Sequence, residues 1–303
     1  MNIKTFIRSL RVPFFTAVIV PILLGAAIAW NHQGYLMWGY FWLTLIAGIL
    51  FQAGANTAND YFDHLSGADA INREFISPFT GGSRVIQEGE VTPKQMLSIA
   101  IISYLLGSAL GIYLAVSRGW FVLALGLIGL IGGYFYTAPP FRWVNRGIGE
   151  VMIGLNFGVL CVLGSYYVQT QRFSWEAVLA SLPVALLIAE VLLINEIPDY
   201  QADKAVGKNH LVVRLGRRGS AILYTLLLLS AYLIILALVL TRFLPPMTLI
   251  TFITAPLAFK TSLNALKHYD VSARLKPSNA GTIIIHLSLG LLLSLGFLLD
   301  KII

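Results

Sequence analysis

The chain has 303 residues, of which 57% are hydrophobic and only 12% charged, with a mean hydropathy of +0.77. A soluble domain carries about 25% charged residues, so a water-soluble globule is excluded and a multi-pass membrane protein is expected. The net charge of +7 does not require nucleic acid, because Lys and Arg on cytoplasmic loops give the same total; no nucleic-acid partner is expected.

The N-terminal stretch MNIKTFIRSLRVPFF places basic residues before an apolar run, as a signal peptide does. The run continues to Trp30 without a convincing cleavage site, so it reads as a retained first helix. Nine apolar segments follow in order, at about 12–30, 35–58, 96–117, 119–137, 147–170, 174–195, 219–241, 244–259 and 280–299. Each is long enough, or nearly so, to cross a hydrocarbon core that needs about 20 residues. The fourth and eighth are the shortest, and only Ser117-Arg118-Gly119 separates the third from the fourth. The expected fold is all-α: a polytopic bundle of about nine transmembrane helices with cytoplasmic caps over a central cavity, as one domain over 1–303. The single cysteine, Cys161, falls in an apolar run and reads as a buried, inert thiol.

With the N-terminus inside, 17 of the 21 Lys and Arg residues are cytoplasmic; Arg118, Arg172, Arg242 and Lys301 are not. The positive-inside rule is satisfied, and a bacterial inner (cytoplasmic) membrane with the N-terminus in the cytoplasm is expected. The acids are biased as well. Of 14, only Glu176 and Asp300 fall on the opposite side. The charge rule says little about acids, so this bias needs its own cause.

Two motifs supply one. Asn56, Asp60 and Asp63, in NTANDYFDHLSGAD at 56–69, share a helical face at i, i+4 and i+7. Asn195, Asp199 and Asp203 repeat the pattern at i, i+4 and i+8, 139 residues later. Both sit where an apolar run opens into a long polar cytoplasmic loop, so an internal pseudo-repeat is expected. Carboxylates at membrane depth are costly and mark function. Two such clusters on one side can hold divalent cations that bridge to a phosphorylated substrate, because Mg2+ takes a few carboxylates completed by phosphate oxygens and water. Helix capping explains one cluster but poorly explains two.

Basic residues flank the acids. Arg84 follows two glycines in TGGSRVIQEGE, Arg142 ends YTAPPFR six residues after Tyr136, and Lys204 and Lys208 follow the second motif. Guanidinium and ammonium groups there suit a diphosphate. Taken singly, most of these basic residues also satisfy the topology rule; Arg84, in its Gly-rich loop, is the one favoured for function. Phe51, Tyr61, Phe62, Tyr134, Tyr136 and Tyr166 are candidates to line a cavity and face a cation. His286 and Asn156 read as hydrogen-bonded within the bundle, Glu190 as a neutral helix–helix contact or a base, and Glu150 as an orienting group.

The sequences N-x-x-N-D-Y-x-D at 56–63 and N-x-x-x-D-x-x-x-D at 195–203 resemble the UbiA-type intramembrane aromatic prenyltransferases over essentially the whole chain. GGSRVI at 81–86, GSYYVQ at 164–169 and DKAVGKNHLVVRLGRR at 203–218 are similar to the branch acting on 1,4-dihydroxy-2-naphthoate in menaquinone synthesis. The resemblance implies Mg2+ held by Asn56, Asp60, Asp63, Asn195, Asp199 and Asp203. Asn59, Arg84, Tyr136, Arg142 and Lys204 would bind a polyprenyl diphosphate or the aromatic acceptor. Many relatives carry the second acid of the first motif at i+4, where this chain has His64, so either Asp63 or Asp69 completes that set.

Three rivals compete. A transporter predicts charges near mid-membrane and on both faces, unlike these. A CDP-alcohol phosphotransferase uses one acid block with fixed Gly and Arg, and fewer helices. Another acceptor (4-hydroxybenzoate, haem or a chlorophyll precursor) keeps the chemistry and changes the pocket. Prenyl chain length is not encoded in any motif.

Overall fold

The computed structural model describes residues 2–302, and its elements are all helical. A short amphipathic helix, α1 (Ile3–Leu10), comes first, capped by the Asn2 side chain on the Thr5 N–H at 2.8 Å. Ile3 and Ile7 are exposed, while Thr5 and Arg8 bind Glu90 and Glu88 on a later loop. One face meets lipid and the other clips to the polar end of the bundle, as an interfacial helix does.

The long helices follow: α2 (Thr16–Gln33), α3 (Trp38–Ser66), a single turn α4 (Ala68–Ile71), α5 (Pro93–Arg118), α6 (Trp120–Tyr134), α7 (Gly149–Thr170), α8 (Trp175–Ala205), α9 (Leu211–Leu240), α10 (Pro246–His268) and α11 (Ser272–Ile302). Among the described residues, eight regions are long and apolar enough to span a membrane. The fourth expected span, α6, has 15 residues, about 22 Å of helix, short of a full hydrocarbon core. The segment expected at 244–259 is longer than the sequence suggested. A 3-10 stretch from Pro246 runs directly into helix to His268, giving 23 residues.

The motif-bearing helices also run past their apolar segments. α3 and α8 were expected to stop near 58 and 195, yet they continue to Ser66 and Ala205. The extra turns carry the acids, so each motif lies on a helical face, as its spacing predicts.

Close contacts hold α7 against α8. In α7, residues Leu155–Leu160 widen into a π-turn. A Cβ at Gly158 would lie 2.4 Å from the Ala185 Cβ, and one at Gly154 would lie 2.9 Å from the Ala185 carbonyl oxygen. Only glycine permits that approach, the small-residue packing used where lipid gives no hydrophobic push. Apolar cores around Leu24, Val162, Tyr166 and Phe297, and around Leu193, Ile197, Tyr224 and Ile285, fill the bundle on either side.

Several buried polar groups differ from expectation. Among the described residues, both side-chain atoms of Asn156, both carboxylate oxygens of Glu190 and the His286 Nε2 have no hydrogen-bond partner. They do not make the interhelical hydrogen bonds expected of them. The Cys161 thiol, half-buried, donates to the Asn156 carbonyl at 3.2 Å, consistent with an inert role.

Candidate active site

The loop joining α4 to α5 folds back between the two acid motifs. Gly81 and Gly82 have φ of +75° and +71°, a conformation that costs glycine little. This turn aims the N–H groups of Gly81 and Ser83 at acids on two different helices. Gly81 N–H donates to Asp199 Oδ2 at 3.1 Å, and Ser83 N–H donates to Asp60 Oδ2 at 3.1 Å. The Asn72 amide adds a 2.7 Å bond to Asp199 Oδ1. A three-residue turn thereby stitches α3 to α8 at the polar end of the bundle.

Lys208 makes a second bridge. Its Nζ lies 3.0 Å from Asp63 Oδ1 and 3.0 Å from Asp203 Oδ1. Burial opposes the charge, but those two carboxylates hold the ammonium well above its ordinary pKa. Asp203 also meets His210 Nε2 at 3.1 Å, and Asp63 accepts from Asn59 at 3.2 Å. Arg11, with φ +54°, places its guanidinium 3.7 Å from Asp60 Oδ1 and over the Phe14 ring.

The two asparagines are held alike. Asn56 Oδ1 accepts from Gln52 at 2.9 Å, and its amide donates to the Leu10 carbonyl. Asn195 Oδ1 accepts from Asn279 at 2.7 Å. Asn279 also donates to the Ile194 carbonyl at 3.1 Å. That carbonyl is freed because Pro198, four residues on, has no N–H to give. The proline inside the second motif therefore creates the acceptor that docks α11 there.

Asn56, Asp63, Asn195, Asp199, Asp203, Lys208 and Arg11 line one polar cavity between α3, α7, α8 and the α4–α5 loop, with Asp69, Tyr136 and Glu196 also in its wall, while Asp60 lies buried behind the Gly82 turn at its edge. Burial, with Asp63 and Asp60 nearby, pushes the Asp69 carboxyl up to about 8. Burial, with Glu196 beside it, keeps the Tyr136 phenol neutral far above its usual range. Beyond Ala55, Gly133 and Phe157, which line both spaces, the cavity passes into an apolar chamber between α2, α3, α5, α6 and α7. Phe51, Leu125 and Leu160 wall that chamber, as do glycines 126 and 129 on α6.

The donor set fits a hard divalent cation. Asp60 Oδ1 is buried without a hydrogen-bond partner among the described residues. A Cβ placed on Gly82 would fall 2.9 Å from that oxygen and 3.4 Å from Asp69 Oδ2, so the missing side chain leaves a niche between two carboxylates. Oxygen donors of this kind suit Mg2+.

Four residues that the sequence pointed to lie outside the cavity lining: Asp60, buried behind the Gly82 turn, and three basic residues. Arg84 stacks on the Phe75 ring at 4.5 Å and donates to the Asp69 carbonyl, so it braces the loop. Arg142 is exposed, and Lys204 is exposed and leans on Tyr200. Conversely, Arg11, Lys208, His210, Glu196 and Asp69 are drawn in. Of these, Lys208 and Asp69 were visible beside the motifs; Arg11 was read only as a topology charge. Among the candidate aromatics, Tyr136 lines the polar cavity and Phe51 the apolar chamber. Tyr166 instead bonds His32 at 2.9 Å, and Tyr61, Phe62 and Tyr134 stack in a series alongside.

A multi-helix membrane bundle with paired acid motifs around a polar cavity and an apolar chamber is the architecture of an intramembrane prenyl-transfer enzyme. The UbiA prenyltransferase family model matches residues 18–296, and the chain belongs to that family. It is 30% identical to the 1,4-dihydroxy-2-naphthoate octaprenyltransferase of Haemophilus influenzae, covering 98% of this chain and 97% of that one. It is also 30% identical, over 80% of this chain and 75% of the relative, to the enzyme of that name from Bacillus subtilis. A UbiA homologue from Archaeoglobus fulgidus, solved with GPP and Mg2+, shares the fold at a TM-score of 0.65, 16% identity, and coverage of 96% and 99%.

Proposed function

We propose that this protein transfers a polyprenyl group from its diphosphate to 1,4-dihydroxy-2-naphthoate, with loss of the acceptor's carboxyl group, in menaquinone biosynthesis. The observation that carries the reading is the joining of Asp60 and Asp199, from separate motifs, by one glycine turn at the mouth of an apolar chamber. The names of the relatives support the acceptor.

Asn56, Asp60, Asp63, Asn195, Asp199 and Asp203, with Asp69 across the Gly82 niche, are the residues proposed to hold Mg2+. When bound, the metal neutralises the diphosphate and favours its departure. Lys208 and Arg11 lie within the same cavity and supply positive charge to the leaving group. The prenyl tail occupies the apolar chamber, whose walls keep water from the allylic carbon as its C–O bond breaks. The electron-rich ring carbon of the acceptor then forms the new C–C bond, carbon dioxide leaves, and the ring regains aromaticity. Phe51 and Phe157 offer ring faces along that path. Arg84 acts by bracing the loop, while Arg142 and Lys204 stand at the rim. The protein lies in the inner membrane with the cavity mouth toward the cytoplasm.

Membranes containing the protein, supplied with Mg2+, geranylgeranyl diphosphate and either 1,4-dihydroxy-2-naphthoate or 4-hydroxybenzoate, test this directly. The expected result is prenylated product from the naphthoate alone, lost on chelation. Product from 4-hydroxybenzoate would overturn the acceptor, and chelator-insensitive product would overturn the metal.

A further inference from the structure

Beside the second acid motif lies a cluster to which the proposed prenyl transfer assigns no role, although two of its members, Glu196 and His210, also line the polar cavity. Glu150 opens α7, Glu196 is on α8, and His210 immediately precedes α9. One ligand atom from each lies within 4.8 Å of the others, and the three residues are 3%, 7% and 1% exposed. Glu150 Oε2, Glu196 Oε2 and His210 Nδ1 have no hydrogen-bond partner among the described residues. Unpaired polar atoms in the interior are costly, and three facing one another ask for a common partner.

We propose that Glu150, Glu196 and His210 form a transition-metal site, with Zn2+ as the best-fitting ion, that uses none of the ligands proposed for Mg2+ and adjoins them through the His210–Asp203 contact. The donor chemistry favours it: one imidazole with two carboxylates suits zinc, whereas Mg2+ prefers oxygen alone. So does the spacing. His210 Nδ1 stands 3.4 Å from Glu196 Oε2, and two ligands about 2.1 Å from a tetrahedral ion lie about 3.4 Å apart.

The supporting contacts carry the inference furthest. A metal-bound histidine normally gives its other ring N–H to a carboxylate, and ligating carboxylates are themselves hydrogen-bonded. Here His210 Nε2 faces Asp203 Oδ2 at 3.1 Å, and Glu150 Oε1 accepts the Leu211 N–H at 2.9 Å. Both outer contacts therefore exist, and the inner atoms converge. An ion there would tie α7, α8 and the start of α9 together and fix the carboxylate of Asp203 from behind.

The test uses full-length protein in detergent, stripped with chelator and returned to saturating Mg2+ so that the cavity site is filled. Co2+ then serves as the probe, because a tetrahedral site gives intense visible absorption and an octahedral one does not. The expected result is one tetrahedral Co2+ per wild-type chain, displaced by Zn2+. Glu150→Gln removes a ligand without touching the cavity lining. It should weaken Co2+ binding by more than the about 10–100-fold that loss of a supporting partner costs. Glu150→His restores a donor and should recover the band. Absence of a tetrahedral spectrum in the wild type overturns the proposal whatever the variants do, and equal binding by wild type and a folded Glu150→Gln protein also overturns it. Neither readout depends on prenyl transfer, so failure of the acceptor assignment is distinguishable from failure here.

Discussion

At the scale of single residues, the site divides into acids that await a cation and bases that occupy their place. Asp60→Asn and Asp199→Asn each remove a carboxylate that the glycine turn holds in position. Each is expected to lower turnover at least about 100-fold, as loss of one electrostatic group at a reacting centre does, while the protein stays inserted and monodisperse. Near-normal activity in either would take that acid out of the metal set. Lys208 behaves differently. Its ammonium neutralises Asp63 and Asp203 in a buried setting, so Lys208→Met strands two carboxylates and should cost ~3–5 kcal/mol without metal. A divalent cation can replace the missing charge. Thermal unfolding in detergent should therefore show a large loss in chelator that Mg2+ mostly reverses, together with a raised KM for the prenyl diphosphate. A loss of stability unaffected by Mg2+ would place the lysine outside the cation site.

At the scale of elements, the α4–α5 loop and the α7–α8 contact decide whether the motifs meet. Gly82→Ala combines a positive φ with a Cβ 2.9 Å from Asp60 Oδ1. The expectation is a shifted Mg2+ requirement, read by titrating activity against metal, with little change in helix content. Gly158→Val would drive Cβ atoms into Ala185 and should cost ~1–3 kcal/mol by overpacking, visible as a lower Tm. The same loop is anchored at its far end by Glu74, which accepts from Ser272 and Arg217 at 2.6 Å each. Those bonds, the Ser272 hydroxyl first and then the Arg217 guanidinium, hold the Glu74 carboxyl below its ordinary range. For a carboxylate with a lowered pKa, the stabilisation is complete above the unfolded value, about 4.3, and fades as pH falls below it. Protection against hydrogen exchange around Glu74, corrected for the pH dependence of intrinsic exchange, should accordingly fall below about pH 4.

At the scale of the whole molecule, much was readable from composition and spacing. Apolar runs of bilayer length dictate helices because every backbone group in lipid must be bonded within its own segment. The two Asn/Asp patterns betray a site because carboxylates at membrane depth need a reason to be there. Lys and Arg counts give an orientation that reporter fusions to the two termini would check: opposite sides if the short α6 also crosses, the same side if only the eight long regions do.

What the sequence alone determined was therefore the solvent, the helical class and the family, since these depend on local composition and short spacings. Which bases serve the acids was decided only in three dimensions. Lys204 and Lys208 are equivalent by sequence, yet one leans on Tyr200 at the surface and the other bridges two helices. Arg84 appeared beside the first motif but turns toward Phe75, whereas Arg11, 49 positions before Asp60, reaches it across a left-handed turn. Asn279 was invisible, because its role depends on a carbonyl left free by a proline on another helix. Glu150, Glu196 and His210, spread over 60 residues, converge only once α7, α8 and α9 pack. Such pairings are set by helix rotation and loop path, which are long-range outcomes of packing, and a one-dimensional spacing carries no record of them.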